Sequence, residues 1–252
     1  MTRKNQFVIL SLAFLCLIIS SSNLEVKAKN LEVDVLVVGG SQSGVPAAIQ
    51  AARQGAKVAL VSQGDWLGGS MAEAGVAAID GNELTAFQTG LWGEFISRLV
   101  EREPNLMQYG WVSFFTFNPK NGNELFKDWV AEEKKIVWLK NLRPTEVLLD
   151  ESDKYPKFIG VKFSDSTIIK AKVTIDATEF GDLLELGKVP YRLGWEYAGE
   201  FKEPSAPVKK SNLILRYPLQ ELTWAFYLKD YGKGNRAPKI ETPNGYTLEK
   251  AR

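Results

Sequence analysis

Apolar residues fall in short runs along this chain, and the spacing within each run predicts an element. Val33 to Val38 is short and mostly β-branched, which suits a buried strand. Gly39-Gly40-Ser41-Gln42-Ser43-Gly44 cannot continue that strand and reads as a tight turn. Beyond it, Ala47, Ala48, Ala51 and Ala52 favour helix, and Pro46 is tolerated in a first helical turn. Gly55 is a natural stop, and Val58 to Val61 then forms a second strand, parallel to the first. Further on, Leu84, Phe87, Leu91, Phe95 and Leu99 recur at helical spacing up to Pro104. The aromatic stretch Tyr109 to Phe117 predicts a buried strand. Leu125, Phe126, Trp129 and Val130 predict another helix, with Asn123 as its N-cap, and Ile136 to Leu139 another strand. Residues 145–176 then switch to period two. Thr145 to Leu149, Phe158 to Phe163 and Ile169 to Ile175 form an antiparallel meander, with Gly160 as a bulge position.

Strand, glycine turn, helix and strand together form the unit that binds dinucleotides. The free N–H groups of the helix's first turn carry partial positive charge, and glycines let phosphate oxygens approach the backbone. Gly39 and Gly44 occupy the outer positions of the Gly-x-Gly-x-x-Gly pattern, but Ser41 stands where the middle glycine belongs. At the end of the second strand, where an acid would bond a ribose hydroxyl, the residue is Ser62, with Asp65 three residues on as a substitute. A doubly wound sheet with a tight turn and no nucleotide is the plainer alternative.

The first 28 residues have the layout of an export signal. Arg3 and Lys4 precede an apolar core of thirteen residues, Phe7 to Ile19, shorter than the ~20 a membrane span needs. Val26-Lys27-Ala28 fits a cleavage site. The expectation is a periplasmic or secreted protein with no stable membrane insertion after cleavage. An uncleaved anchor is the alternative. Removing residues 1–28 takes three basic side chains and one acidic from totals of 31 and 30, leaving a net charge of −1. Such a balance does not point to nucleic acid. The single cysteine, Cys16, lies in the signal, and the chain has no histidine. Disulfides, cysteine-ligated clusters, histidine metal sites, a Ser-His-Asp triad and a histidyl flavin link are therefore excluded from the mature chain, and no metal site is expected.

The chain resembles the N-terminal portion of FAD-dependent oxidoreductases with a glutathione-reductase-type Rossmann domain, in a poorly characterised bacterial branch. The resemblance rests on Gly39–Gly44, Trp66-Leu67-Gly68-Gly69, the meander feeding Ile175-Asp176-Ala177-Thr178, Gly181-Asp182, and the run Gly187 to Glu196. It covers roughly residues 33–200. It implies an α/β fold: a Rossmann-like FAD-binding βαβ domain over residues 29–200, with an inserted antiparallel β-meander. Residues 201–252 read as the start of a second, substrate-facing domain.

The resemblance also implies roles for individual residues. Gly39, Gly40, Ser41, Gln42, Ser43 and Gly44 would hold the pyrophosphate, and Ser62 stands at the ribose position. Gly68, Gly69 and Ser70 would approach the ribityl chain or flavin by backbone, and Val147 would meet the adenine by its strand backbone. Asp182 would bind the ribityl chain, unless it serves only as a helix N-cap ahead of Leu183-Leu184. The activity implied is an exported oxidoreductase with noncovalently bound FAD acting on a small-molecule substrate. A non-catalytic Rossmann-type scaffold and an NAD-dependent dehydrogenase are the alternatives.

Overall fold

The computed structural model describes residues 30–79, 89–104, Ser113 and 116–219, with shorter pieces beyond 219. The signal segment, Leu84, Phe87, Tyr109 and most of 222–228 lie outside the described residues. The first strand, β1 (Asn30–Val38), begins three residues before the apolar run and crosses the middle of a six-stranded sheet. Helix α1 (Gly44–Arg53) carries the chain over to β2 (Val58–Val61), which lies parallel to β1 with Val38 beside Val61. A 3-10 turn covers Gly69–Met71. Helices α2 (Gly90–Arg102) and α3 (Pro119–Glu132) follow, and β3 (Ile136–Leu139) adds parallel to β2. The remaining strands are β4 (Pro144–Asp150), β5 (Lys157–Phe163) and β6 (Ile168–Asp176), and the sheet order is β3-β2-β1-β6-β5-β4. Short helices α4 (Asp182–Leu186), α5 (Ala198–Phe201) and α6 (Asn212–Arg216) complete the described elements. The arrangement is the mixed α/β, Rossmann-like one that the sequence predicts.

Alternation along the strands builds two cores, one on each face of the sheet. Val37, Val58 and Leu60 face the helices, packing with Val45, Ile49, Phe95, Leu99, Phe126 and Trp129. Leu36, Val38, Ala59 and Val61 face the other way, against Val147, Val161, Phe163, Ile169 and Leu183. The hairpin β4–β5 and helix α4 therefore close the second face, and three helices close the first.

Two details of the sequence reading change. Asn123 is not the cap of α3. That helix starts one turn earlier, where Asn118 accepts from the Lys120 amide at 3.0 Å and Pro119 takes the first helical position. An Asn-Pro pair is the stronger start signal, since proline has no N–H to leave unpaired there. Asn123 instead lies inside the helix, 4% exposed, and its Oδ1 accepts from the Leu67 amide at 2.9 Å. The meander also does more than insert. Its third strand, β6, pairs antiparallel with β5 only over Ile168–Lys170, but parallel with β1 from Asn30↔Ile168 to Val38↔Asp176. Period two reveals which face of a strand is buried and not which neighbour it takes. The expected irregularity near Gly160 is present as a register shift between Leu148 and Leu149 opposite it. A Cβ on Gly160 would stand 2.6 Å from the Ile169 carbonyl oxygen, so glycine keeps β5 and β6 close there.

Candidate functional site

Val38 neighbours Val61 on one side and Asp176 on the other, so the carboxyl ends of β1, β2 and β6 lie together. The chain leaves β1 towards β2, while β6 arrives from the opposite half of the sheet. A crevice at such a switch point is where open α/β sheets bind ligands. Here a cleft of about 220 Å³ opens, with Gly39, Gly40 and Ser41 among its lining.

The glycine turn is shaped by close approach. Gly39 has φ +121°, and a Cβ there would lie 2.0 Å from the Ala177 carbonyl oxygen. A Cβ on Gly44 would lie 2.1 Å from the Gly39 carbonyl oxygen. These glycines let the start of α1 sit against the ends of β1 and β6. Ser41 departs from the glycine pattern, and its side chain is turned inward. It is 5% exposed, its Oγ accepts from the Gly44 amide at 3.0 Å, and it shares a hydrogen bond with Ser43 Oγ at 2.9 Å. The hydroxyl thus caps α1 and consumes one of its first N–H groups. Among the described residues, the amides of Ser41, Gln42 and Ser43 have no acceptor.

The second glycine pair is fastened to the first. The Gly68 amide donates to the Gly40 carbonyl at 2.7 Å, and the Ser70 amide donates to Gln42 Oε1 at 3.2 Å. Gly68 and Gly69 both have positive φ, +105° and +47°. A Cβ on Gly68 would strike the Phe126 ring, so glycine lets α3 pack close against this loop. Gly39, Gly40, Gln42, Ser43, Gly44, Gly68, Gly69 and Ser70 are thereby brought into one patch.

Other predicted positions fall differently. Ser62 borders the cleft but is 3% exposed, and its hydroxyl is used twice: it donates to the Gly64 carbonyl at 2.7 Å and accepts from Trp138 Nε1 at 2.9 Å. Val147 is buried in β4 within the second core and does not line the cleft. Asp182 is the first residue of α4, with Gly181 at the cap position, and its Oδ2 accepts from Gln63 Nε2 at 3.0 Å.

Three acidic residues that the sequence reading gave no role in the site, Asp176 of the Ile175-Asp176-Ala177-Thr178 run among them, also shape it. Asp176, at the end of β6, accepts from the Thr178 amide and hydroxyl through Oδ1, and from the Leu183 amide through Oδ2. Thr178 Oγ1 in turn accepts from the Asp182 amide at 2.8 Å. The Asp-x-Thr spacing is the one readable signal for this turn. Glu73 and Glu179 both line the cleft. Burial, and then the neighbouring charge of Glu73, pushes the Glu179 carboxyl above the usual carboxylate range. The two glutamates are far apart in the chain, so no local pattern announces them.

No curated protein matches the sequence. Among solved structures, that of Thermovibrio ammonificans THI4 is 17% identical and superposes with a TM-score of 0.47, covering 78% of this chain and 75% of that one. L-proline dehydrogenase from P. horikoshii is 13% identical, with a TM-score of 0.45, over 67% of this chain and 59% of that one. PqsL from P. aeruginosa, in complex with 2-aminobenzoylacetate, is 18% identical, with a TM-score of 0.41, over 64% of this chain and 47% of that one. The chain thus spans about half the length of PqsL and under two thirds of the dehydrogenase. The family model for FAD dependent oxidoreductases matches residues 34–252, from the first strand onward. With nearly the whole described fold inside that match, the chain belongs to the FAD-dependent oxidoreductase family, whose cofactor is FAD.

Proposed function

We propose that the cleft at the carboxyl ends of β1, β2 and β6 holds the adenosine diphosphate half of FAD, and that the protein is an exported oxidoreductase with noncovalently bound flavin. The observation that carries the reading is the fused glycine patch. Gly39 and Gly44 admit no side chain, and the amides of Ser41, Gln42 and Ser43 have no acceptor beside the first turn of a ten-residue helix. Such amides and the helix terminus suit a pyrophosphate. Gly68, Gly69 and Ser70, fastened to that turn, would approach the ribityl chain by backbone. Bound FAD would supply the redox chemistry, accepting hydride or electrons from a small-molecule substrate. The chain's own contribution is positional: Ser41 and Asp176 stiffen the two turns that border the cleft, and buried Val38 and Val61 line its inner side. With no histidine, and with Cys16 inside the signal, neither side chain is available in the mature chain for a covalent flavin link.

One observation favours a second reading, a scaffold that binds FAD poorly. Glu73 and Glu179 add negative charge beside the place where the pyrophosphate would sit. The visible absorbance spectrum of the purified protein separates the two. A flavin spectrum that survives gel filtration and is released on denaturation is expected. Colourless protein that does not take up added FAD would establish the scaffold. Export is tested by N-terminal sequencing, which should find a mature start after Ala28. Intact Met1 in the cytoplasmic pool would remove export from the proposal.

A further inference from the structure

We infer that Gln63, oriented by Asp182, is the side chain that binds the adenosine ribose of FAD in this protein, in place of the residue at the end of β2. The inference rests on the cleft being the FAD site. In dinucleotide-binding units of this type, a carboxylate ending the second strand accepts from a ribose hydroxyl. Ser62 occupies that place, yet its one O–H is given to the Gly64 carbonyl and its oxygen already receives Trp138 Nε1. Only 3% of Ser62 is exposed. Turning its hydroxyl to a ligand would leave the Gly64 carbonyl without that donor. Asp65, the other acid nearby in sequence, does not line the cleft.

Gln63 is the next residue, exposed, and lines the cleft beside Ser41. It also lines an adjoining depression with Arg143, Pro144, Phe180 and Asp182, so it borders both, as Phe180 does. Its Nε2 donates to Asp182 Oδ2 at 3.0 Å. An ionised carboxylate can only accept, so the amide must present its NH2 to Asp182. That leaves Oε1 as an acceptor with no partner among the described residues, matched to a donating ribose hydroxyl. Asp182 is itself held from β6: its amide donates to Thr178 Oγ1 at 2.8 Å, and the Thr178 hydroxyl donates to Asp176 Oδ1 at 2.7 Å. This relay runs from Asp176 at the end of β6 to Gln63 just after β2, at the edge of the cleft. It fixes which way the Gln63 amide faces before any ligand arrives, which lowers the entropy cost of binding. Asp182 is therefore a positioning residue.

The test is a fluorescence titration of the FAD-free full-length mature protein. The ligands are FAD and analogues lacking the 2′- or 3′-hydroxyl of the adenosine ribose. The parent should prefer FAD over one of the analogues by about fivefold, the size of one neutral hydrogen bond. In Gln63→Ala, FAD should bind about fivefold more weakly and the preference should vanish, because the analogue then loses nothing more. Asp182→Ala should weaken FAD by a smaller factor in the parent and have no effect in the Gln63→Ala background. A purely structural role would weaken FAD and the analogues alike and leave their ratio intact. The inference is overturned if Gln63→Ala keeps the parent's preference, or if Ser62→Ala abolishes it. A folded parent that binds no FAD overturns the cleft assignment as well. Binding by the parent with an unchanged Gln63→Ala overturns this inference alone.

Discussion

At the scale of single residues, Glu179 is a cleft carboxylate that the fold makes harder to ionise. Partial burial and the facing Glu73 raise its pKa above the 4.5 of a free glutamate. The folded state therefore binds this proton more tightly than the unfolded state does. Stability from it is present at low pH and is lost as pH rises from about 4.5 through the raised value. Glu179→Gln has no proton to lose. It should melt higher than the parent at neutral and mildly alkaline pH, with the difference shrinking towards zero below 4.5. If the cleft holds FAD as proposed, the same variant should bind it more tightly, because one of the two acidic side chains lining the cleft is gone. Melting curves across pH check the first statement. A difference that stays constant from acid to alkali would mean that neither burial nor Glu73 raises the Glu179 carboxyl.

At the scale of elements, α3 does two separate jobs through two asparagines. Asn118 caps it, and Asn123 in its interior fastens the loop that carries Gly68 and Gly69. Asn118→Ala should cost about 1 kcal/mol, the ordinary value of a cap. Asn123→Ala leaves the Leu67 amide buried without a partner and should cost about 1–3 kcal/mol. Denaturant unfolding of both variants gives the comparison, and limited proteolysis should show faster cutting near Leu67 in Asn123→Ala alone. Equal proteolysis of the two would show that the loop is held by the Gly68–Gly40 backbone bond and by Phe126 instead.

At the scale of the molecule, the three helices on one face of the sheet are joined by an ion network. Arg53 of α1 pairs with Glu94 of α2 and with Glu133, the C-cap of α3, both at 2.7 Å, and Arg98 of α2 pairs with Glu132 of α3 at 2.7 Å. Both guanidiniums lie over the Trp129 ring, 5.9 and 5.3 Å from its centre. Hydrogen bonds from Arg53, and then Arg98, hold Glu94 down at about 2 against an ordinary 4.5. A depressed carboxylate stabilises the fold above its unfolded pKa and loses that contribution as pH falls through the folded value. Glu94→Gln should therefore be less stable than the parent at neutral pH, and the gap should close between about 4.5 and about 2. Chemical denaturation at several pH values measures it. A gap that persists below 2 would assign the loss to packing and not to charge.

The βαβ unit, the helix over 90–102 and the strands between 144 and 176 could be read from the sequence, because each rests on local periodicity or on residues within one turn of one another. The glycine turn was legible for the same reason, since Gly39 to Gly44 is a local pattern, but that Gly39 must be glycine because the Ala177 carbonyl lies against it was decided by the tertiary structure. What the tertiary structure alone decided is partnership. Nothing local tells β6 to lie beside β1, since its alternation would serve any neighbour. Nothing local tells Asn123 that Leu67 will arrive at its side chain, or Ser62 that Trp138 will take its oxygen. Glu73 meets Glu179, and Gln63 meets Asp182, only once β2 and β6 end at the same edge. Hydrogen bonds and charges between distant segments depend on that register, which the packing of two opposite sheet faces sets.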